Sequence, residues 1–232
     1  MPSPQPDRPD HYFTADPGAA SSPATVELIL SEGRLLTLAT DTGVFSGDRV
    51  DPGTRALLAD GPPVTEGGVL VDVGCGYGPI TVALALRGGP DATVWAVDVN
   101  ERARDLCRAN AEANGVGAQV RVVAPEEVPA DLVVDQVWSN PPIRVGKAAL
   151  HDLLRRWLDA LRAPDGLAAL VVHKHLGADS LERWLGAEGW PTARLASRAG
   201  YRILAVAAAT TDPNTPPNAP SNSPTNDSEP SA

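Results

Sequence analysis

Residues 69–78 read Val69-Leu70-Val71-Asp72-Val73-Gly74-Cys75-Gly76-Tyr77-Gly78, an apolar run that breaks into glycine at every second position. The apolar half predicts a buried strand, and Pro79-Ile80-Thr81-Val82-Ala83-Leu84-Ala85-Leu86 behind it predicts a helix with proline at its start. The glycines therefore fall on a strand-to-helix turn. Glycine reaches positive φ freely and lets a ligand approach the backbone, while the helix start offers unpaired N–H groups. The pattern G-x-G-x-G, with Asp72 two residues ahead of it, reads as a cradle for a nucleotide-type cofactor. A tight turn without a ligand is the other reading of the glycines taken alone.

Working outward, Thr93-Val94-Trp95-Ala96-Val97-Asp98 is a second apolar strand that ends in an acid, about twenty residues past the glycines. A nucleotide-binding fold sets the carboxylate for both ribose hydroxyls at that place. Asp98 equally qualifies as the N-cap of the helix expected over 100–114, and both roles can hold together. A third strand pattern, Gln136-Val137-Trp138-Ser139, runs into Asn140-Pro141-Pro142-Ile143. Two prolines fix φ and supply no N–H, so the backbone here presents carbonyl acceptors beside an amide side chain.

Taken in that order, Gly74-Cys75-Gly76-Tyr77-Gly78, Asp98 and Asn140-Pro141-Pro142-Ile143 resemble class I S-adenosylmethionine-dependent methyltransferases that act on an exocyclic or amide nitrogen. Over roughly residues 11–208 the chain is similar to the small-domain family of the ribosomal RNA guanine-N2 methyltransferase RsmC. The stretches that carry this are His11-Tyr12-Phe13, Thr42-Gly43-Val44-Phe45-Ser46, Asp51-Pro52-Gly53-Thr54, Gly146-Lys147, Lys174 and Gly200-Tyr201-Arg202-Ile203-Leu204. The resemblance implies a seven-stranded, doubly wound α/β sheet in the order 3-2-1-4-5-7-6 and S-adenosylmethionine as cofactor. Asp72, the five residues Gly74 to Gly78, Thr54, Asp98, Val99, Ala124 and Asn140 are the expected cofactor contacts. Phe45, Arg144, Lys147, Lys174, Tyr201 and Arg202 are expected on the substrate side. The loop after the third strand departs from the family, which commonly offers a polar residue to adenine there. This chain has Ala124-Pro125-Glu126-Glu127, where the Ala124 backbone or the Glu126 carboxylate would substitute.

The residue types also imply a mechanism. An amine conjugated to a ring is a poor nucleophile, because its lone pair is delocalised. Acceptors on its two hydrogens favour pyramidalisation and aim the lone pair at a methyl donor. The Asn140 side-chain oxygen and the Pro141 carbonyl are the expected acceptors, Pro142 stiffens the turn, and Ile143 is expected against the face of the target ring.

Composition bounds the rest. The 232 residues, 43% hydrophobic, suffice for one full core once the polar ends are set aside. The divisions expected are a disordered 1–10, a methyltransferase domain over 11–209, and a disordered Pro/Asn/Ser-rich tail over 210–232. Cys75 and Cys107 make no structural disulfide pattern, and no leader or eighteen-residue apolar run occurs, so a reducing cytoplasm is expected. The net charge of −10 argues against tight non-specific RNA binding. Basic residues nevertheless gather after the Asn-Pro-Pro stretch, as Arg144, Lys147, His151, Arg155 and Arg156, and again at His173-Lys174-His175. An ordinary solvated helix face is the competing reading for the arginines.

Elsewhere, Val26 to Leu38 reads as a β-hairpin turning at Ser31-Glu32-Gly33-Arg34, an addition ahead of the nucleotide-binding core. In the family this region covers the cofactor, and Phe45 either stacks on adenine or the target base or packs as a core aromatic. Asp51 is the expected N-cap of a helix reaching about Ala59. Residues 119–123 are the third core strand. A helix follows over 147–161, a strand over 167–173 buried on both faces, a helix over 180–185, and an antiparallel edge pair over 192–197 and 201–208. Nucleophile-elbow, P-loop and C-x-x-C motifs are absent, and His173 with His175 lacks a third ligand nearby, so no metal is expected.

Three functions remain open on these residues. The first is methylation of guanine N2 in RNA, with small-subunit ribosomal RNA and a monomeric enzyme favoured. The second is methylation of a protein amide or a small amine, which an acidic surface tolerates better. The third is a cofactor-binding module without turnover. RsmC-type enzymes carry a further N-terminal domain with no counterpart in these residues, so the target nucleotide does not transfer.

Overall fold

The structure is a computed structural model that describes residues 20–209. The His11-Tyr12-Phe13 stretch and both terminal segments expected to be disordered lie outside the described residues. Two sheets form. The first is a hairpin of β1 (Ala24–Ile29) and β2 (Leu35–Thr40), paired antiparallel across the predicted turn. Its alternation is that of a half-buried strand pair: Val26, Leu28, Leu36 and Leu38 point inward while Ile29 and Leu35 stay exposed.

The second sheet holds β3 (Val69–Val73), β4 (Thr93–Val97), β5 (Val120–Val123), β6 (Gln136–Ser139), β7 (Leu167–His173), β8 (Thr192–Arg198) and β9 (Tyr201–Ala207). Its order is β5-β4-β3-β6-β7-β9-β8. Counted within the sheet, that is the expected 3-2-1-4-5-7-6. The first five strands run parallel, whereas β9 pairs antiparallel with β7 and also with β8, the latter as the close spacing of the last two strands predicts.

Successive strand residues serve opposite layers. Leu70, Trp138, Val171 and Ile203 join one core with α1 (Pro52–Asp60), α2 (Pro79–Gly88), α3 (Glu101–Ala113) and the inner face of the hairpin. Val71, Val137, Leu170, Leu204 and Val206 join the other with α4 (Lys147–Asp159) and α5 (Ala178–Ala187). Leu150, Leu154, Trp157 and Leu158 show why α4 is a helix: their spacing makes one buried stripe. The sheet is thus covered on both sides, and its near-continuous apolar strands are the consequence.

Strand order reverses between β3 and β6, which leaves a crevice at their carboxyl ends. Four strands deliver their terminal residues there: Gly74 after β3, Asp98 after β4, Asn140 after β6 and His173 at the end of β7. The Ser139 hydroxyl donates to the Val73 carbonyl at 2.7 Å and locks two of those strand ends together. Among the described residues no helix is long and apolar enough to cross a membrane.

Candidate active site

The crevice opens into a cavity of about 580 Å³. One side is built by Val73, Gly74, Gly76, Asp98 and Val99, the middle by Asn140 to Ile143 with Asp51, and the far side by Trp157, His173, His175, Leu176 and Tyr201. The glycine turn, the acid after β4 and the Asn-Pro-Pro stretch therefore line one cavity. A small adjoining recess is lined by Thr54, Cys75, Tyr77 and Ile80.

Gly74 and Gly76 have φ of 74° and 55°, and a Cβ on either would meet nothing within 4 Å. Their missing side chains keep the cavity open. Gly78 differs, because its Cβ would lie 2.8 Å from the Cys107 Sγ, so this glycine lets α3 pack against the turn. Three amides of the loop itself are paired within the protein. The Gly74 and Cys75 amides donate to the Val97 carbonyl at 2.8 and 3.1 Å, and the Gly76 amide donates to Asp98 Oδ2 at 2.9 Å. A phosphate needs free donors facing it. This turn instead offers space beside carboxylates, which suits a ligand that is neutral or cationic at this end.

Asp98 is not the N-cap of α3. Asn100 is, with its side-chain oxygen accepting from the Ala103 amide, and Asp98 Oδ1 accepts from the Asn100 amide at 2.9 Å. Each carboxylate oxygen of Asp98 thus holds one backbone N–H and keeps a lone pair for a further donor, a geometry matched to two vicinal hydroxyls. Burial raises its pKa, with the Asn100 and Gly76 amides pulling the other way. Asp72 lies beneath the turn, fully buried, accepting from the Thr81 hydroxyl at 2.6 Å through Oδ2 while Oδ1 has no partner among the described residues. Burial pushes its carboxyl up to about 7. Cys75 and Cys107 are free thiols buried side by side, and the Cys107 thiol together with burial holds Cys75 well above its usual range.

Asn140 is tied from the amide side. Its Nδ2 donates to Asp51 Oδ2 at 2.8 Å and to Thr54 Oγ1 at 3.2 Å. A carboxylate only accepts, so the group facing it is the NH₂, and the Asn140 oxygen is left for another donor. The Pro141 carbonyl accepts from the Ile143 amide at 2.8 Å and keeps one lone pair. Tyr201 packs edge-on to His173 with ring centroids 4.9 Å apart, and burial followed by the charge of Asp51 raises its hydroxyl pKa.

Of the remaining expected contacts, Phe45 and Val99 line the cavity as partly exposed side chains, 43% and 41%. Thr54 is buried in the first turn of α1 and reaches Asn140. Ala124 does not face the cavity. Glu127 Oε2 takes its amide and Pro125 occupies the wall instead, while Glu126 is exposed. Arg202 is ion-paired with Asp179 and only 19% exposed, away from the lining. Lys147 and Lys174 are exposed beside lining residues, and Arg144 carries the turn after Ile143. The cluster expected on α4 separates: Arg155 pairs with Glu188 and Asp152, His151 stacks on Trp184, and only Arg156 reaches the cavity. Sequence reasoning missed Asp51, Trp157 and Leu176 as cavity residues. Among the described residues no group of three or more His, Cys, Asp or Glu could hold a metal ion.

The chain is 37% identical over 175 residues to the uncharacterized protein YbxB of Bacillus subtilis (strain 168), covering 74% of this chain and 85% of that one. It is 34% identical over 145 residues to the ribosomal RNA small subunit methyltransferase C of Shewanella loihica, covering 61% of this chain and 41% of that enzyme. Among solved structures, a 16S rRNA N2 methyltransferase (RsmC) of T. thermophilus, in complex with AdoMet and guanosine, superposes with a TM-score of 0.64 at 25% identity. That match covers 80% of this chain and 50% of the other. The chain thus spans about half or less of the named methyltransferases it matches. The family described as methyltransferase small domain matches residues 35–205, which takes in the glycine turn, Asp98, Asn140-Pro141-Pro142 and Tyr201, and the chain belongs to that family of methyltransferases.

Proposed function

We propose that this chain transfers the methyl group of S-adenosylmethionine to the exocyclic N2 of a guanine in RNA, with small-subunit ribosomal RNA as the substrate and the cytoplasm as the place of action. The observation that carries the reading is Asn140, a half-buried amide at the switch point whose NH₂ is consumed by Asp51 and Thr54, so that its oxygen is left to accept an amine hydrogen. The Shewanella loihica relative is named a ribosomal RNA methyltransferase, and the T. thermophilus structure contains guanosine.

The residues present fit the cofactor. The open backbone at Gly74 and Gly76 leaves room for its methionine half, Asp98 has two lone pairs for its ribose, and Val99 with Pro125 forms an apolar wall for its adenine. S-adenosylmethionine supplies an electrophilic methyl on a sulfonium centre. The protein's own part is orientation. Asn140 Oδ1 and the Pro141 carbonyl take the two amine hydrogens, Ile143 and the far wall hold the ring, and no base is required before transfer. Positioning of this kind can supply about 7–11 kcal/mol of a barrier. A paired target base would first be flipped out, at a cost of a few kcal/mol.

The test is methyl transfer from labelled S-adenosylmethionine into ribosomal subunits, total RNA and total protein from cells lacking the gene. Label is expected in RNA that digests to N2-methylguanosine, and Asn140→Ala is expected to lower its rate at least about 100-fold. Label confined to protein or small amines would overturn the RNA reading.

A further inference from the structure

The two oxygens of Asp51 are used unequally. Oδ2 receives the Gly53 amide at 2.7 Å, the Thr54 amide at 3.1 Å and Asn140 Nδ2 at 2.8 Å. Oδ1 receives no donor from the described residues, and Asp51 lines both the cavity and its recess. One oxygen thus caps α1 and fixes the Asn140 amide, while the other remains an open acceptor beside it.

Exocyclic amines on nucleobases differ in what stands next to them on the ring. Adenine N6 and cytosine N4 are flanked by a ring nitrogen without hydrogen, an acceptor that a carboxylate oxygen repels. Guanine N2 is flanked on its Watson–Crick side by N1–H, a donor, and has the bare N3 only on its other side. An acceptor adjoining the one that takes an amine hydrogen therefore matches the guanine edge and opposes the other two. We infer that Asp51 is the residue that selects guanine, its Oδ1 accepting the N1 hydrogen while Asn140 and Pro141 hold the N2 hydrogens. The inference rests on the guanine-N2 reading above and names the contact that enforces it.

Asp51→Asn isolates this contact. Asparagine caps helices as well as aspartate does, and its single oxygen can take over all three donors now on Oδ2. What changes is the open acceptor, which becomes an NH₂ donor. The natural probe is 2-aminopurine riboside, a fluorescent nucleoside with the same N2 amine but no hydrogen on N1. Its binding is measured by fluorescence titration, and that of guanosine by competition, with S-adenosylhomocysteine present, for the wild type, Asp51→Asn and Asp51→Ala. The wild type is expected to prefer guanosine. In Asp51→Asn the preference should move toward 2-aminopurine riboside by roughly 10- to 100-fold, with thermal midpoint and S-adenosylhomocysteine affinity held. Asp51→Ala, which loses cap, clamp and open acceptor together, should lower the midpoint and weaken both nucleosides, guanosine the more. An unchanged preference in Asp51→Asn overturns the assignment, as does saturable binding of neither nucleoside by any of the three. If the wild type methylates RNA guanine and the ratio still does not move, this inference alone fails; if no RNA guanine is methylated, the function proposed above fails first.

Discussion

A carboxylic acid with no water in reach carries a stability cost that depends on pH, and Asp72 is such a group. Its folded-state pKa, raised to about 7 by burial against an ordinary 3.8, means that the native protein holds a proton which the unfolded chain releases. Stability from this group is therefore fully present below about pH 4 and is lost as pH rises toward 7. Asp72→Asn keeps an acceptor for the Thr81 hydroxyl and cannot ionise. Urea unfolding of the cofactor-free protein should show the variant gaining on the wild type across pH 4–7, by on the order of a few kcal/mol, with no further gain above. A constant difference over that range would mean that Asp72 titrates as an exposed acid. Gly53 supplies a second case at this scale. A Cβ there would stand 2.7 Å from the Tyr201 ring, so Gly53→Ala must displace either Tyr201 or the start of α1. About 1–3 kcal/mol of destabilisation is expected, together with weaker substrate binding, since Tyr201 lines the cavity.

At the scale of elements, one buried amide ties the hairpin to both α3 and the glycine turn, in addition to the shared apolar core, the Asn114 bond to the Thr37 carbonyl and the Arg87–Glu32 ion pair. Asn110 on α3 accepts from the Ala39 amide at 2.7 Å and donates to the Ala39 and Tyr77 carbonyls at 2.8 and 2.7 Å, which joins β2, α3 and the glycine turn. Asn110→Ala leaves three backbone groups without partners, worth about 2–4 kcal/mol in total. Amide exchange should quicken first over β1 and β2, ahead of the main sheet, and cofactor affinity should fall because the turn loses its brace. Equal quickening throughout would show the hairpin folding as one unit with the sheet. None of this was readable in advance, and the reason is distance along the chain. The glycine turn, Asp98 and Asn140-Pro141-Pro142 announce themselves because their chemistry sits in adjacent residues. The Asp51 clamp on Asn140 joins positions 89 residues apart, and its cap role, which is local, was the only part visible. The pairing of the loop amides is hidden in the sequence for the same reason: the Val97 carbonyl that takes two of them comes from another strand. The α4 cations separated because a helix turns them to different faces.

The whole molecule carries a net charge of −10, an awkward balance for the RNA substrate proposed above. Arg155 and Arg202 are spent in ion pairs, and the cavity mouth is edged by the exposed apolar side chains of Phe45, Val99 and Leu176. Lys147, Lys174 and Arg156 stand beside that mouth, the last also donating to the Pro125 carbonyl, and Arg104 lies behind it with its guanidinium on the Asp98 and Val99 carbonyls. Three phosphate contacts to a single strand release few counterions, with a slope of log affinity against log salt of about −2. RNA affinity is therefore expected to fall only about 20-fold between 50 and 200 mM salt, where a basic RNA-binding face would lose a thousandfold or more. Recognition would then rest on the base in the cavity and on the apolar rim more than on backbone charge. Filter binding of the RNA substrate across that salt range measures the slope, and the double variant Lys147→Ala with Lys174→Ala should flatten it by about 1.4. A slope well beyond −4 would place the main contacts on a surface away from the cavity mouth, and no slope at all would argue for a small amine in place of RNA.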